Sequence, residues 1–349
     1  MNKLKKFLLF FVLILPTGLT AQEVFESGDG TFSTQKLTKN LEVGANNKLL
    51  IRAAANLPGK IKVTTSKNKE VGIIYYKKAK AADKGQAVDF IDLIAVVLDK
   101  TPDAVRLEMR APNPAPWEDE TEWGMVEAEI TVPEKCFVEI EAALFDVEAT
   151  GPFRGIVIPA SLGKIDISHV SEKLEVATSN RRVNISDVSG DIAISTTNAV
   201  LSARNLVAIG ARAQIENDHG DIHIDGFAGE IDAENSYGRI NITSFTVLGK
   251  RNIIRGMSGP ISLDIIEMKD AQIRITNSFE DVELTMPENT SASMSLAVDE
   301  GGKIEVSSIN VKPELIEQNR MNLVAGKGTS LITSSVRGSG NIYVRGSND

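Results

Sequence analysis

The chain has 349 residues, 42% hydrophobic but only 5% aromatic, with 38 basic and 47 acidic side chains and a formal charge of −9. That length admits one large domain or two ordinary ones, and the acidic balance gives no general electrostatic reason to approach nucleic acid or anionic lipid. The single cysteine, Cys136, excludes an intramolecular disulfide framework, so stability must come from packing.

In chain order, Met1 to Lys6 carries three lysines and no acid, Phe7 to Leu15 is an unbroken apolar run, and Pro16, Gly18 and Ala21 follow. This is the order of a secretory signal peptide spanning 1–21, with cleavage after Ala21. Its apolar run is shorter than the about 20 residues a spanning helix needs. Cleavage removes three lysines and leaves 35 basic and 47 acidic side chains, a net charge of −12. No later segment is a candidate span. The sequence therefore predicts an extracytoplasmic protein (periplasm, cell surface or secreted) with no transmembrane segment after cleavage.

Residues 22–150 read as an irregular β-rich region, either wide first coils or a small sandwich. Its strand-like runs include Leu41-Glu-Val, Lys48-Leu-Leu-Ile-Arg, Lys60-Ile-Lys-Val-Thr, Val71-Gly-Ile-Ile-Tyr-Tyr and Met125 to Val132. Val88 to Ile94 begins as a helical turn before the apolar run Ile94 to Leu98, and Pro112 to Gly124, with Trp117 and Trp123 among acids, reads as an exposed connection. Cys136 lies in an alternating run and reads as a buried structural thiol.

Residues 151–349 carry a repeat. Ile165, Leu174, Val183 and Ile192 follow at nine-residue intervals, and the beat resumes at Ile222, Ile231 and Ile240. Each begins a short run alternating apolar with polar residues, the pattern of a half-buried strand. Asn180, Asn198, Asn217, Asn235 and Asn277 form a second series at close to twice that interval, the last step being doubled again with Gly256 midway. They share the parity of inward residues, so the sequence predicts a ladder of stacked, inward asparagines whose amides find partners in neighbouring coils. Two nine-residue halves, making coils of about 18–21 residues, predict a single-stranded β-solenoid; a hairpin meander offers no such column. Val170, Val188, Leu206, Phe227 and Phe245 repeat at the opposite corner, and Pro313 to Asn319 reads as one short helix among the C-terminal capping strands.

The Gly-x-Ile-x-Ile and Ala-x-Asn-Ser repeats, best seen in Gly220 to Tyr237, and the ending Arg337-Gly-Ser-Gly-Asn-Ile-Tyr-Val resemble the bacterial β-strand-repeat family labelled putative adhesin, a domain of unknown function. The resemblance covers about Lys164 to Val344 and is weaker over Val24 to Val147. It implies an extracytoplasmic β-solenoid and no catalytic residues.

Chemistry-bearing groups are sparse. Asp221, His223 and Asp225 share a wet strand face, and any exposed strand face carries polar side chains, so neither a metal nor another cofactor is expected. There is no Gly-x-Ser-x-Gly elbow and no Gly-x-x-x-x-Gly-Lys phosphate loop. One column invites a ligand: two residues past each asparagine position stand Arg182, Val200, His219, Tyr237, Ser258 and Phe279. His219, Tyr237 and Phe279 are the candidate ligand-binding residues. The reading is a non-catalytic, adhesin-like binding module of the cell envelope, whose partner is an envelope or extracellular protein or a glycan. The alternatives are a purely structural envelope component and a polysaccharide-acting β-helix enzyme. Mass spectrometry of the mature protein should find Gln22 at the N-terminus; an intact Met1 contradicts the leader.

Overall fold

Runs in which Ile, Val or Leu alternate with polar residues form strands because successive side chains leave opposite faces of an extended backbone. In the computed structural model, which describes residues 23–44, 46–117, 121–299 and 301–347, such runs make the chain all-β apart from one helix among the described residues, Lys84–Leu93. The leader predicted over 1–21 lies outside the described residues.

Each strand of the repeat pairs in parallel with its counterpart one repeat further on. One ladder aligns Val147, Ile165, Val183, Leu201, Ile222, Ile240, Ile261 and Val282. The other aligns Ile156, Leu174, Ile192, Ala213 and Ile231. We call one strand from each ladder, with the turns joining them, a tier. Side chains at these positions belong to one continuous apolar cluster, so the two ladders share a core. Several strands, among them Ile165–Thr178 and Ile222–Asn235, run unbroken from one ladder into the other.

A single left-handed residue makes that corner possible. His169, Asp187, Asn205, Gly226 and Ser244 have φ of 62°, 56°, 54°, 80° and 51° in successive tiers. Each reverses the alternation once, so the next residue turns inward: Val170, Val188, Leu206, Phe227 and Phe245 stack in register and are buried. The corner also carries cross-tier polar bonds. Asn205 donates to Asp187 at 2.9 Å, a bond that holds the Asp187 carboxyl below its ordinary range.

Both ends of the stack depart from chain order. Strand Lys48–Ala53 lies between Val105–Arg110 and Phe137–Glu141, while Gly59–Ser66 lies between Trp123–Pro133 and Phe145–Ser161. At the other end Ser330–Val336 is inserted between Gln272–Asn277 and Ala292–Val298, and Ile342–Ser347 between Val282–Pro287 and Ile304–Ser307. The sequentially first and last parallel strands are thus held on both edges, and internal segments form the outermost tiers. Antiparallel strands then close the stack, Glu70–Lys80 against Trp123–Pro133 at one end and Arg320–Ala325 against Ala292–Val298 at the other.

Two segments differ from the sequence reading. The Pro313 to Asn319 segment is no helix: Val311–Glu317 is a strand paired only with Arg320–Ala325, with an irregularity between Pro313 and Leu315. An edge strand tolerates proline because one side needs no donor. Nor is Pro112 to Gly124 a simple exposed connection. Trp117 is buried against Phe90 of the helix, ring centroids 5.6 Å apart, and Trp123 begins a strand. The helix buries Ala87, Phe90 and Ile91, is capped by Asp83, which accepts from the Gln86 amide, and is closed by the buried Lys77 ammonium donating to the Ile91 carbonyl. Burial pulls the Lys77 pKa down.

Glycine sets how closely the tiers approach at one turn. A Cβ on Gly238 would lie 2.0 Å from the Gly220 carbonyl oxygen, and one on Gly259 would lie 2.1 Å from that of Gly238. Gly238→Ala should therefore destabilise the fold by about 1–3 kcal/mol in chemical denaturation, the usual cost of overpacking; an unchanged midpoint contradicts the close approach.

Candidate functional site

The residues singled out by the sequence fall into two columns. The inward column at the turn aligns Ser161, Thr178, Thr196, Asn217, Asn235 and Gly256 in adjacent tiers, and Asn277 ends the strand that pairs with Asn252–Gly256. Asn217, Asn235 and Asn277 are buried and their amides tie turns together. Asn217 donates to the carbonyls of Ala199 in the tier before and Gly220 in its own turn, both at 2.8 Å. Asn235 donates to Gly220 and Arg239 and accepts from the Gly238 amide. Asn277 donates to Gly259 and Glu280 at 3.0 and 2.9 Å.

Asn180 and Asn198 do not belong to this column: both are exposed. Their displacement from the column has a physical cause. Ala208 pairs with Gly229 and Arg212 with Glu230, so Ile209, Gly210 and Ala211 are extra residues expelled between them. Ile209 is 67% exposed and Gly210 takes φ of 75°. That insertion lengthens the step from Thr196 to its partner Asn217, and in the earlier tiers threonine occupies the inward place. Thr178 bonds back through its hydroxyl to the Ser161 carbonyl at 3.0 Å. The sequence reading also missed Asn252, a buried asparagine that donates to Leu248 and Gln272 and accepts from the Ile231 amide. Its place in the nine-residue beat, where isoleucine normally stands, was the available signal.

The displaced asparagines complete the second column. Two residues past the inward position stand Asn180, Asn198, His219, Tyr237, Ser258 and Phe279, so Arg182 and Val200 are not in this strip. The Asn198 amide donates to the Asn180 side-chain oxygen at 2.8 Å. His219 and Tyr237 stack with ring centroids 4.4 Å apart and planes inclined by 22°. Backbone bonds fix the stacking: His219 N–H donates to Thr197, Tyr237 N–H to Asp218 and Ser258 N–H to Ser236. Asp218 lies 2.8 Å from His219 Nδ1 and orients the ring. Tyr237 and Phe279 are 53% and 55% exposed, and the His219 side chain 54%. The turn thus presents rings that the core does not use.

Several of the other polar groups are engaged within the fold. Asp221 accepts from the Arg239 amide and Asp225 from the Thr243 hydroxyl, while His223 lies 3.5 Å from Asp221. Among the described residues, no three His, Cys, Asp or Glu side chains lie together as a metal site would need. The outer face of the second ladder is laced by ion pairs, Arg212 with Asp232 and Arg255 with both Asp232 and Glu234. Burial pushes the Cys136 thiol up to about 12, so it is a protonated core side chain at neutral pH. Among the described residues no helix is long and apolar enough to cross a membrane.

No family model matches the chain, and no curated protein sequence matches it. Solved structures do. A putative adhesin from Parabacteroides distasonis is 10% identical with a TM-score of 0.42, over 91% of this chain and 98% of that one. One from Bacteroides fragilis is 13% identical with a TM-score of 0.31, over 89% and 97%. A putative cell adhesion protein from Clostridium sporogenes is 12% identical with a TM-score of 0.21, over 90% and 99%. At these identities and scores the likeness carries no residue role to this chain.

The two columns separate in stability. Asn235→Leu should cost about 1–3 kcal/mol by denaturant titration, because buried carbonyls lose their donors, whereas Asn198→Ala on the exposed strip should stay within about 0.5 kcal/mol. Equal effects contradict the assignment.

Proposed function

We propose that this chain is a secreted, non-catalytic β-solenoid that serves as an adhesin-like binding module of the cell envelope, with the turn strip as its binding surface. Support for the solenoid comes from the parallel pairing of each strand with its counterpart in the next repeat, around a shared core. The leader-like segment at 1–21 and the resemblance of the repeats to the adhesin-labelled family support the compartment.

The observation that carries the binding role is the column of rings left in solvent. Most Leu, Ile and Phe side chains of the tiers are packed inside, yet His219, Tyr237 and Phe279 each stay more than half exposed at one turn. Aromatic rings with a polar tip offer apolar area and hydrogen bonding together, and loops on a rigid scaffold are where binding residues concentrate. Among the described residues, side chains facing inward from the two ladders pack into one apolar cluster, which favours a surface site over an interior one.

What supports the non-catalytic reading is that several carboxyls are committed to contacts within the fold. Asp99, Asp187 and Glu230 are carboxyls whose titration is displaced, and each is displaced downward. For Asp99 the main cause is the Arg106 hydrogen bond, and for Glu230 burial pushes upward but is outweighed by bonds from Arg251 and the Lys250 amide. Such groups stay ionised and serve as acceptors within the fold.

Tyr237→Ala should weaken capture on an array of glycans and envelope-protein fragments by about tenfold or more while leaving the melting transition nearly unchanged. Loss of the fold without a separable binding defect, or unaltered capture, contradicts the strip as a binding surface.

A further inference from the structure

The strip contains a gap whose dimensions follow from the tiers. Tyr237 and Phe279 are two tiers apart, and the tier between them carries Ser258, which is exposed. Parallel strands stand about 4.8 Å apart, so the two aromatic positions are separated by about 9.5 Å with only a hydroxymethyl group between them. Where adjacent tiers both carry rings, as at His219 and Tyr237, the rings stack at 4.4 Å. A flat ring entering at the Ser258 tier would lie about 4.8 Å from each neighbour, within the range of about 4.5–7 Å at which rings stack. Ser258 therefore leaves unfilled a place that the geometry of the strip shapes for one ring.

We propose that the Ser258 tier is a slot for a single pyranose ring of a glycan, held between Tyr237 and Phe279. This rests on the strip being the binding surface and goes further in naming the ligand class and the residues that clamp it. The C–H faces of a pyranose are apolar and match the two aromatic faces, while its rim of hydroxyls needs donors and acceptors. Beside the slot the Tyr237 phenol and the Ser258 hydroxyl supply these, while the His219 imidazole and the amides of Asn198 and Asn180, two to four tiers further along, would meet adjoining sugars of the same oligosaccharide. Because Asp218 engages His219 Nδ1, Nε2 is the imidazole nitrogen left for a ligand. An aromatic peptide side chain fits the slot less well, since the backbone N–H groups of His219, Tyr237 and Ser258 are already taken by the neighbouring tiers and do not remain for a peptide.

The test fills the slot. Ser258→Phe would place a ring where the sugar is proposed to sit, and the new stack should hold or raise the melting temperature. On an array of immobilised pyranose oligosaccharides the wild type should bind, and Ser258→Phe should lose about tenfold or more in affinity. Phe279→Ala should lose binding to a similar degree, and saturation-transfer NMR on the wild type should show magnetisation reaching both faces of one sugar ring. If Tyr237→Ala abolishes binding but Ser258→Phe does not, the slot is refuted and the strip stands. If neither variant changes binding, both are refuted. Wild-type protein that captures aromatic peptides but no pyranose overturns the assignment to a glycan.

Discussion

Everything in this fold depends on parallel pairing of each strand with its counterpart one repeat later, which sets equivalent side chains directly above one another. Such stacking amplifies whatever occupies a position. A branched aliphatic facing inward meets its own kind in the next tier and contributes about 1.5–3 kcal/mol by burial. The NH2 group of an inward amide finds carbonyls of adjacent turns to donate to, as at Asn217 and Asn277. Ring beside ring at the exposed turn gives a stacked surface. The same rule therefore produces the core, the polar ladder and the candidate site.

Pairing of this kind leaves two problems, and the sequence meets each with a local device. The strand must change direction without leaving the ladder, which a single left-handed residue per tier accomplishes at His169, Asp187, Asn205, Gly226 and Ser244. A stack also has ends, and open edges invite aggregation. Here the first and last parallel strands are drawn inside, and antiparallel strands, with the helix Lys84–Leu93 and Trp117 at one end, lie over the outermost tiers.

Much of the repeat was legible because alternation and the nine-residue beat are properties of single short runs. The corner series from Val170 to Phe245 needed only counting. What could not be read was register across an insertion. Asparagine occupies both the buried column at 217, 235 and 277 and the exposed strip at 180 and 198, so residue type alone joined two columns that Ile209-Gly210-Ala211 separates. His219, Tyr237, Ser258 and Phe279 lie beyond that insertion, and counting from sequence puts them in one column correctly; Arg182 and Val200 lie before it, and the same count puts them in that column wrongly. Inverted tier order at the ends was hidden for a different reason. No local pattern states which distant strand a parallel edge will accept, and Pro313 with its acidic neighbours suits an exposed edge strand as well as a short helix.

The register across the insertion is the point on which the strip, the ladder and the slot all turn, and disulfide trapping reads it directly. In a Cys136→Ala background, cysteines at 198 and 219 stand on adjacent tiers of one column, at a strand spacing of about 4.8 Å that suits a disulfide. Cysteines at 198 and 217 face different sides of the backbone and lie out of register. Mild oxidation of the folded protein should close the first pair and leave the second reduced. Closure of the 198–217 pair in place of 198–219 would contradict the arrangement.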